Sequence, residues 1–133
     1  MKTYVQKNSG IKYSDHWSTP SEIYLHYVRN LNYVDPCPLY GETKPTNLKR
    51  IEYSENMFIN PPYSNISEWI DFALNHHKAF KQHIVLLIPS RTDTKYFHRL
   101  LEYGVTLEFI KGRLKFGGSK NTAPFPSVLV HIQ

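Results

Sequence analysis

Four consecutive residues, Asn60-Pro61-Pro62-Tyr63, set a side-chain amide, two ring-locked backbones and an aromatic ring directly after a short apolar run, Met57-Phe58-Ile59. Neither proline can donate a backbone hydrogen bond, and each fixes its own φ. The chemistry this set suits is work on a planar amine. The exocyclic amine of a nucleobase is a poor nucleophile, because its lone pair is delocalised into the ring. Methylating it requires the nitrogen to rehybridise, and an acceptor on each of its two N–H groups favours that change. The Asn60 side-chain oxygen offers one acceptor and the Pro61 carbonyl the other. Rigid prolines hold that carbonyl in place, which is preorganisation. The Tyr63 ring can stack on a base. No metal and no strong general base is needed when the electrophile is an activated methyl sulfonium. The same four residues would also serve as a strand stop with a packing tyrosine. An RNA base or a glutamine amide presents the same planar amine.

Other polar groups stand where strands should end. In open α/β sheets, ligands bind beyond the carboxyl ends of the strands. Asp35 follows the short run Leu31–Val34, Asn60 follows Met57–Ile59, and Ser90-Arg91 follows the apolar run "HIVLLIPS". Arg91 at the end of a buried strand calls for a phosphate or carboxylate partner, with Asp93 or a nearby glutamate as the intramolecular alternative. Lys111, Arg113 and Lys115, with Phe116 interleaved, suit a nucleic-acid strand. Asp35 would otherwise cap the turn before Pro36. Several chemistries lack support. Cys37 is the single cysteine, so no internal disulfide can form. Ser90 has no convincing His/Asp partner for hydrolysis, and the seven histidines lack metal-ligand spacing. His77 and Trp69 read as packing residues on a helix.

The elements that must position these groups alternate. The stretch "WSTPSEIYLHYVRN" opens a helix at Pro20, capped by Ser18 or Thr19. Ile66, Trp69, Ile70, Ala73, Leu74 and His77 recur at helical spacing after a cap at Ser64 or Asn65. Residues 84–89 are near-continuously apolar, the mark of a strand buried on both faces. A helix opened by Thr92 or Asp93 closes at Gly104, and "VTLEFI" and "VLVHI" are the last two strands. The expected class is α/β, with a mostly parallel sheet and an antiparallel edge made by those last two strands. Length fits one domain, residues 16–133, after a flexible basic arm at 1–15. The net charge of +5 favours a polyanionic partner. No run of 18 apolar residues would span a membrane and the N-terminus has no apolar signal core, so a cytoplasmic protein is expected.

Taken together, "WSTP", "DPCP", "FINPPYS", "IVLLIPSRTDTKYF", "KGRLKFGG" and "APFPSVLV" occur in the order of the phage-type DNA N6-adenine methyltransferases, and the chain resembles that Dam-like family over roughly residues 15–132. The resemblance implies a reduced Rossmann-like methyltransferase fold that uses S-adenosylmethionine to methylate N6 of a flipped adenine in DNA. It implies that Asn60, Pro61, Pro62 and Tyr63 are the catalytic base-binding motif. Asp35, with Pro36, would stand where such enzymes bind the methionine amino group, and Thr19 and Pro20 near the methionine end. Arg91, Thr92, Lys111, Arg113, Lys115 and Phe116 would line the base or DNA side. The implied setting is a phage or prophage gene in a bacterial host. A homodimer would enlarge the DNA-binding surface of so small a chain. The interval of 25 positions between Asp35 and Asn60 is short for a full methyltransferase. That brevity favours an alternative, a non-catalytic nucleic-acid-binding relative with a degenerate cofactor pocket.

Overall fold

The apolar run 84–89 forms an interior strand of a four-stranded sheet in the computed structural model, which describes residues 18–37, 54–117 and 120–133. Strands β1 (Met57–Ile59), β2 (Ile84–Pro89), β3 (Thr106–Phe109) and β4 (Ser127–Ile132) lie in the order β1-β2-β4-β3. β1 and β2 are parallel, with Met57 opposite Ile84 and Ile59 opposite Leu86. β4 is antiparallel to both its neighbours, with Leu86 opposite Val130 on one side and Leu107 opposite Val130 on the other. All six residues of β2 are buried, as a strand covered on both faces requires.

Alternation along the strands divides the core into two layers. Met57, Ile59, Ile84, Leu86, Ile88, Val128, Val130 and Ile132 face one side, against helices α2 (Ile66–Phe80) and α3 (Lys95–Tyr103). Phe58, Val85, Leu87 and Leu129 face the other side, against Tyr27, Phe116, Ala123 and Phe125. α2 exists because Ile66, Trp69, Ile70, Ala73 and Leu74 form one apolar stripe, and all five are buried. Trp69 is fully enclosed, so its loss would cost about 3–5 kcal/mol. The helix stops at Lys81, whose left-handed φ of 59° turns its N–H back to the His77 carbonyl at 2.8 Å. α3 has Thr94 as its N-cap, whose side chain accepts from the Phe97 N–H, one or two residues beyond the expected Asp93 or Thr92. It ends at Gly104 with φ 99°, the left-handed conformation that glycine adopts without a Cβ penalty.

Three expectations need correction. The sheet is not mostly parallel among the described residues: two of its three strand pairs are antiparallel. The cause is that β4 inserts between β2 and β3 instead of adding outside β3. The run Leu31–Val34 is not a strand. Asn32 takes a left-handed φ of 59°, which bends the chain and leaves Val34 alone to bridge Met57 in parallel fashion. The first helix, α1 (Ser21–Tyr24), has Pro20 as its N-cap and no side-chain cap, and it continues as a π-helical segment, Leu25–Asn30. The basic arm 1–15 and most of the 36–56 connection lie outside the described residues.

At the amino end of β2, four side chains form a continuous hydrogen-bonded chain. The Tyr33 hydroxyl meets His83 Nδ1 at 2.6 Å, His83 Nε2 meets His131 Nδ1 at 3.0 Å, and His131 Nε2 meets Glu108 Oε1 at 2.8 Å. Burial, then the neighbouring His131, pushes the His83 pKa down. No helix among the described residues is long and apolar enough to cross a membrane.

Candidate active site

The parallel part of the sheet brings the polar groups to one end. Phe58 N–H donates to the Val34 carbonyl and Val34 N–H donates to the Asn56 carbonyl, each at 2.9 Å. Residues 33–35 therefore run alongside β1, and Asp35 leaves the ladder at the end where Asn60 leaves β1. Ser90 and Arg91 leave β2 at that same end, where the Ser90 N–H donates to the Pro126 carbonyl at 3.0 Å. This is the end at which α/β sheets hold ligands.

Asn60 is half-buried, and its Nδ2 donates to Thr19 Oγ1 at 3.1 Å across 41 positions of sequence. Thr19 is held by its neighbour. The Gly117 N–H donates to the Ser18 carbonyl at 3.0 Å, and the Ser18 hydroxyl donates to the Gly117 carbonyl at 2.7 Å. A Cβ on Gly117 would stand 2.8 Å from Ser18 Oγ, so glycine is what lets the two segments close. Pro20 then starts α1, its carbonyl accepting from Ile23 and Tyr24 N–H.

Pro61 is buried and Pro62 half-buried, and Tyr63 begins a 3-10 turn, Tyr63–Asn65, that leads into α2. The Tyr63 ring packs edge-on against Phe125, with centroids 5.5 Å apart. Its hydroxyl is buried with no hydrogen-bond partner among the described residues. Burial raises the Tyr63 pKa well above a phenol's usual value; Tyr96 adds to this and Arg91 opposes it. Tyr63 and Tyr96 border an open cleft of about 320 Å3, with Ser64, Asn65, Ser67 and Glu68 on its other sides. A second hollow, of about 210 Å3, lies along α2 between Glu68, Asp71 and His76. Its carboxylates suit neither DNA nor the strand-end site.

Asp35 is a carboxyl at this end whose acidity is clearly lowered. Burial pushes its carboxyl up to about 6, against the pull of the Cys37 N–H, which donates to Oδ1 at 3.1 Å. No basic side chain pairs with it among the described residues. Pro36 beside it is buried. A buried carboxyl without a cation is a place where a ligand ammonium gains most.

Of the residues read as facing nucleic acid, Arg91, Thr92, Lys111, Arg113 and Lys115 are exposed. The Arg91 guanidinium carbon lies 5.8 Å from the Phe125 ring centroid, and Asp93 forms no ion pair with it among the described residues. Phe116 is different: it is 1% exposed, a core residue between Tyr27 and Phe125 rather than a surface ring. Its position next to Lys115 misleads because alternation sends one neighbour inward. Sequence reasoning missed Phe125, which touches both Tyr63 and Arg91. Its signal was the bracket Pro124-Phe125-Pro126, a ring held by stiff backbone on both sides. Trp69 and His77 are packing residues as expected, His77 Nδ1 meeting the Tyr103 hydroxyl at 2.7 Å. No group of three or more His, Cys, Asp or Glu among the described residues could hold a metal ion.

No curated protein and no solved structure gives a match to the chain. A family model described as DNA N-6-adenine-methyltransferase (Dam) matches residues 6–127. With its motifs gathered at one end of the sheet and the match running through nearly the whole sequence, the chain belongs to the DNA N-6-adenine-methyltransferase (Dam) family.

Proposed function

We propose that this protein transfers a methyl group from S-adenosylmethionine to N6 of an adenine flipped out of DNA, with Asn60-Pro61-Pro62-Tyr63 as the clamp on the base. One observation carries this reading. Asp35, Asn60 and Arg91 leave adjoining backbone segments at the same end of the sheet, and Asn60 is tied there by Thr19. The parallel pair β1–β2 joined by α2, with Val34 parallel beyond β1, supports a reduced Rossmann-like fold as its frame.

The residues present fit the cofactor. Asp35 would hold the methionine ammonium, because its carboxyl is desolvated and no basic side chain pairs with it among the described residues. Pro36, Thr19 and Pro20 would border that end. When bound, the cofactor supplies an electrophilic methyl on a sulfonium, so the chain need not generate a strong nucleophile. Its task is to bias the amine. Asn60 Oδ1 and the Pro61 carbonyl would accept the two N6 hydrogens and draw the nitrogen toward the tetrahedral form, in which its lone pair is available. The excess proton leaves the methylated nitrogen for solvent without a dedicated base. Tyr63 would stack on the base, its ring plane fixed edge-on by Phe125. Its hydroxyl stays protonated throughout, as burial requires. Arg91, Thr92, Lys111, Arg113 and Lys115 would hold the phosphates of the strand.

The test is calorimetric titration with S-adenosylmethionine, alone and with a mixed-sequence duplex, followed by transfer of labelled methyl to DNA and to RNA. Saturable binding and N6-methyladenine in DNA support the proposal. No binding by folded protein under either condition would overturn it in favour of a non-catalytic DNA-binding relative. Label entering RNA instead would change the substrate.

A further inference from the structure

Thr19 lies next to the helix start that the resemblance associates with the cofactor, yet its hydrogen bond goes to the clamp. Asn60 Nδ2 donates to Thr19 Oγ1 at 3.1 Å. An asparagine side chain has two torsions, and one of them, about the bond to the amide, is broad. An amide that must offer its oxygen to a substrate N–H therefore gains from a fixed partner on its nitrogen. Thr19 is well placed to be that partner, because its own backbone is not free to drift. Ser18 is bonded twice to Gly117, and Gly117 has no side chain to push the segments apart. Pro20 limits the backbone on the other side. The clip also joins Asn60 to the exposed basic stretch Lys111, Arg113 and Lys115, which runs directly into Gly117.

We infer that Thr19 is a positioning residue for the methyl transfer: it fixes the Asn60 amide in the orientation that presents Oδ1 to the adenine N6, and the Ser18–Gly117 clip fixes Thr19. This rests on the proposed methyltransferase function and adds to it a role distinct from cofactor contact. A misplacement of about 1 Å at a reacting centre can lower a rate about 100-fold, so holding one torsion is worth a hydrogen bond that touches no substrate.

The experiment compares wild type with Thr19→Val, which keeps shape and removes the acceptor, and with Thr19→Ser, which restores it. The first readout is hydrogen exchange of the Asn60 side-chain amide by NMR. It should quicken several-fold, up to about tenfold, in Thr19→Val and return to the wild-type rate in Thr19→Ser, the fold-change expected when a bond of ordinary strength is lost. The second readout is kinetic. In Thr19→Val, kcat should fall about 10- to 100-fold, by more than any change in the S-adenosylmethionine Kd. Unchanged amide exchange in Thr19→Val would overturn the inference. A weakened Kd with intact kcat would also overturn it, since Thr19 would then be a cofactor contact. Were wild type to transfer no methyl at all, the proposed function would fail, and the exchange readout would still decide whether Thr19 orders Asn60.

Discussion

Replacing Asp35 with asparagine should stabilise the protein and, if the proposed function holds, weaken its binding of S-adenosylmethionine at once. Burial lifts the Asp35 carboxyl from its ordinary 3.8 to about 6. At 1.36 kcal/mol for each tenfold change in proton affinity, ionising it inside the fold costs about 3 kcal/mol. The sign follows from linkage. A raised folded-state pKa contributes stability that is fully present below 3.8 and is lost as pH climbs through about 6. Asparagine keeps an acceptor for the Cys37 N–H and carries no charge to bury. Wild type and Asp35→Asn should therefore melt alike near pH 4, and the variant should melt about 10 °C higher at pH 8, given a few degrees per kcal/mol for a chain of this length. Differential scanning calorimetry across that range measures the gap. Ligand binding should move the opposite way. S-adenosylmethionine should bind wild type more tightly as pH rises through about 6, where the carboxylate proposed to face its ammonium forms. Asp35→Asn should bind about 10- to 100-fold more weakly and lose that pH dependence, as expected for removing one charged partner. A melting gap that fails to open between pH 4 and pH 8 would refute the burial argument. An Asp35→Asn variant with wild-type affinity would refute the ammonium contact.

Asn60→Ala should abolish methyl transfer by at least about 100-fold, the typical cost of one preorganised electrostatic contact, while circular dichroism shows the fold intact. Arg113→Ala should weaken duplex binding nearly equally for all sequences and reduce the slope of log affinity against log salt by about 1, measured by fluorescence anisotropy. His83 has a lowered pKa, so its share of stability is present above the ordinary histidine value of 6.5 and is lost as pH falls below it. Thermal melts of His83→Gln should accordingly lose part of the acid-side decline between pH 6.5 and pH 5; an unchanged decline would mean that the histidine chain is not the group titrating.

Much of this architecture was legible in the residue pattern, and the failures share a cause. The strand 84–89 and helix 66–80 were visible because burial on both faces and a five-residue apolar stripe are local patterns. Gly104 was readable as a helix end because a left-handed residue favours glycine. The strand expected at Leu31–Val34 failed because Asn32 adopts a left-handed φ that its side chain tolerates but does not announce. The parallel character of the sheet was overestimated because nothing local reveals that β4 pairs with β2 as well as β3. At the site, Asp35, Asn60 and Arg91 could be placed by the rule that strand ends hold ligands. The Thr19–Asn60 bond could not be foreseen, since it joins residues 41 positions apart. Phe116 stands among basic neighbours in sequence, whereas its burial depends on Phe125, nine positions on, and on Tyr27, far away in sequence.

The strand order carries a consequence for how the chain is made. Among the described residues β3 bonds only to β4, and β4 is also the sole link between β3 and β2. A ribosome delivers residues 106–109 before it delivers 127–132, so β3 must wait unpaired while about twenty further residues are synthesised, on the order of a few seconds at typical elongation rates. Phe109 is 68% exposed even in the finished sheet, and until β4 is seated it and both edges of β3 stay open to pairing with another chain. The last strand is thus a closing wedge whose arrival ends a period of vulnerability, and substitutions in 127–132 should depress the yield of folded protein more than the stability of what does fold.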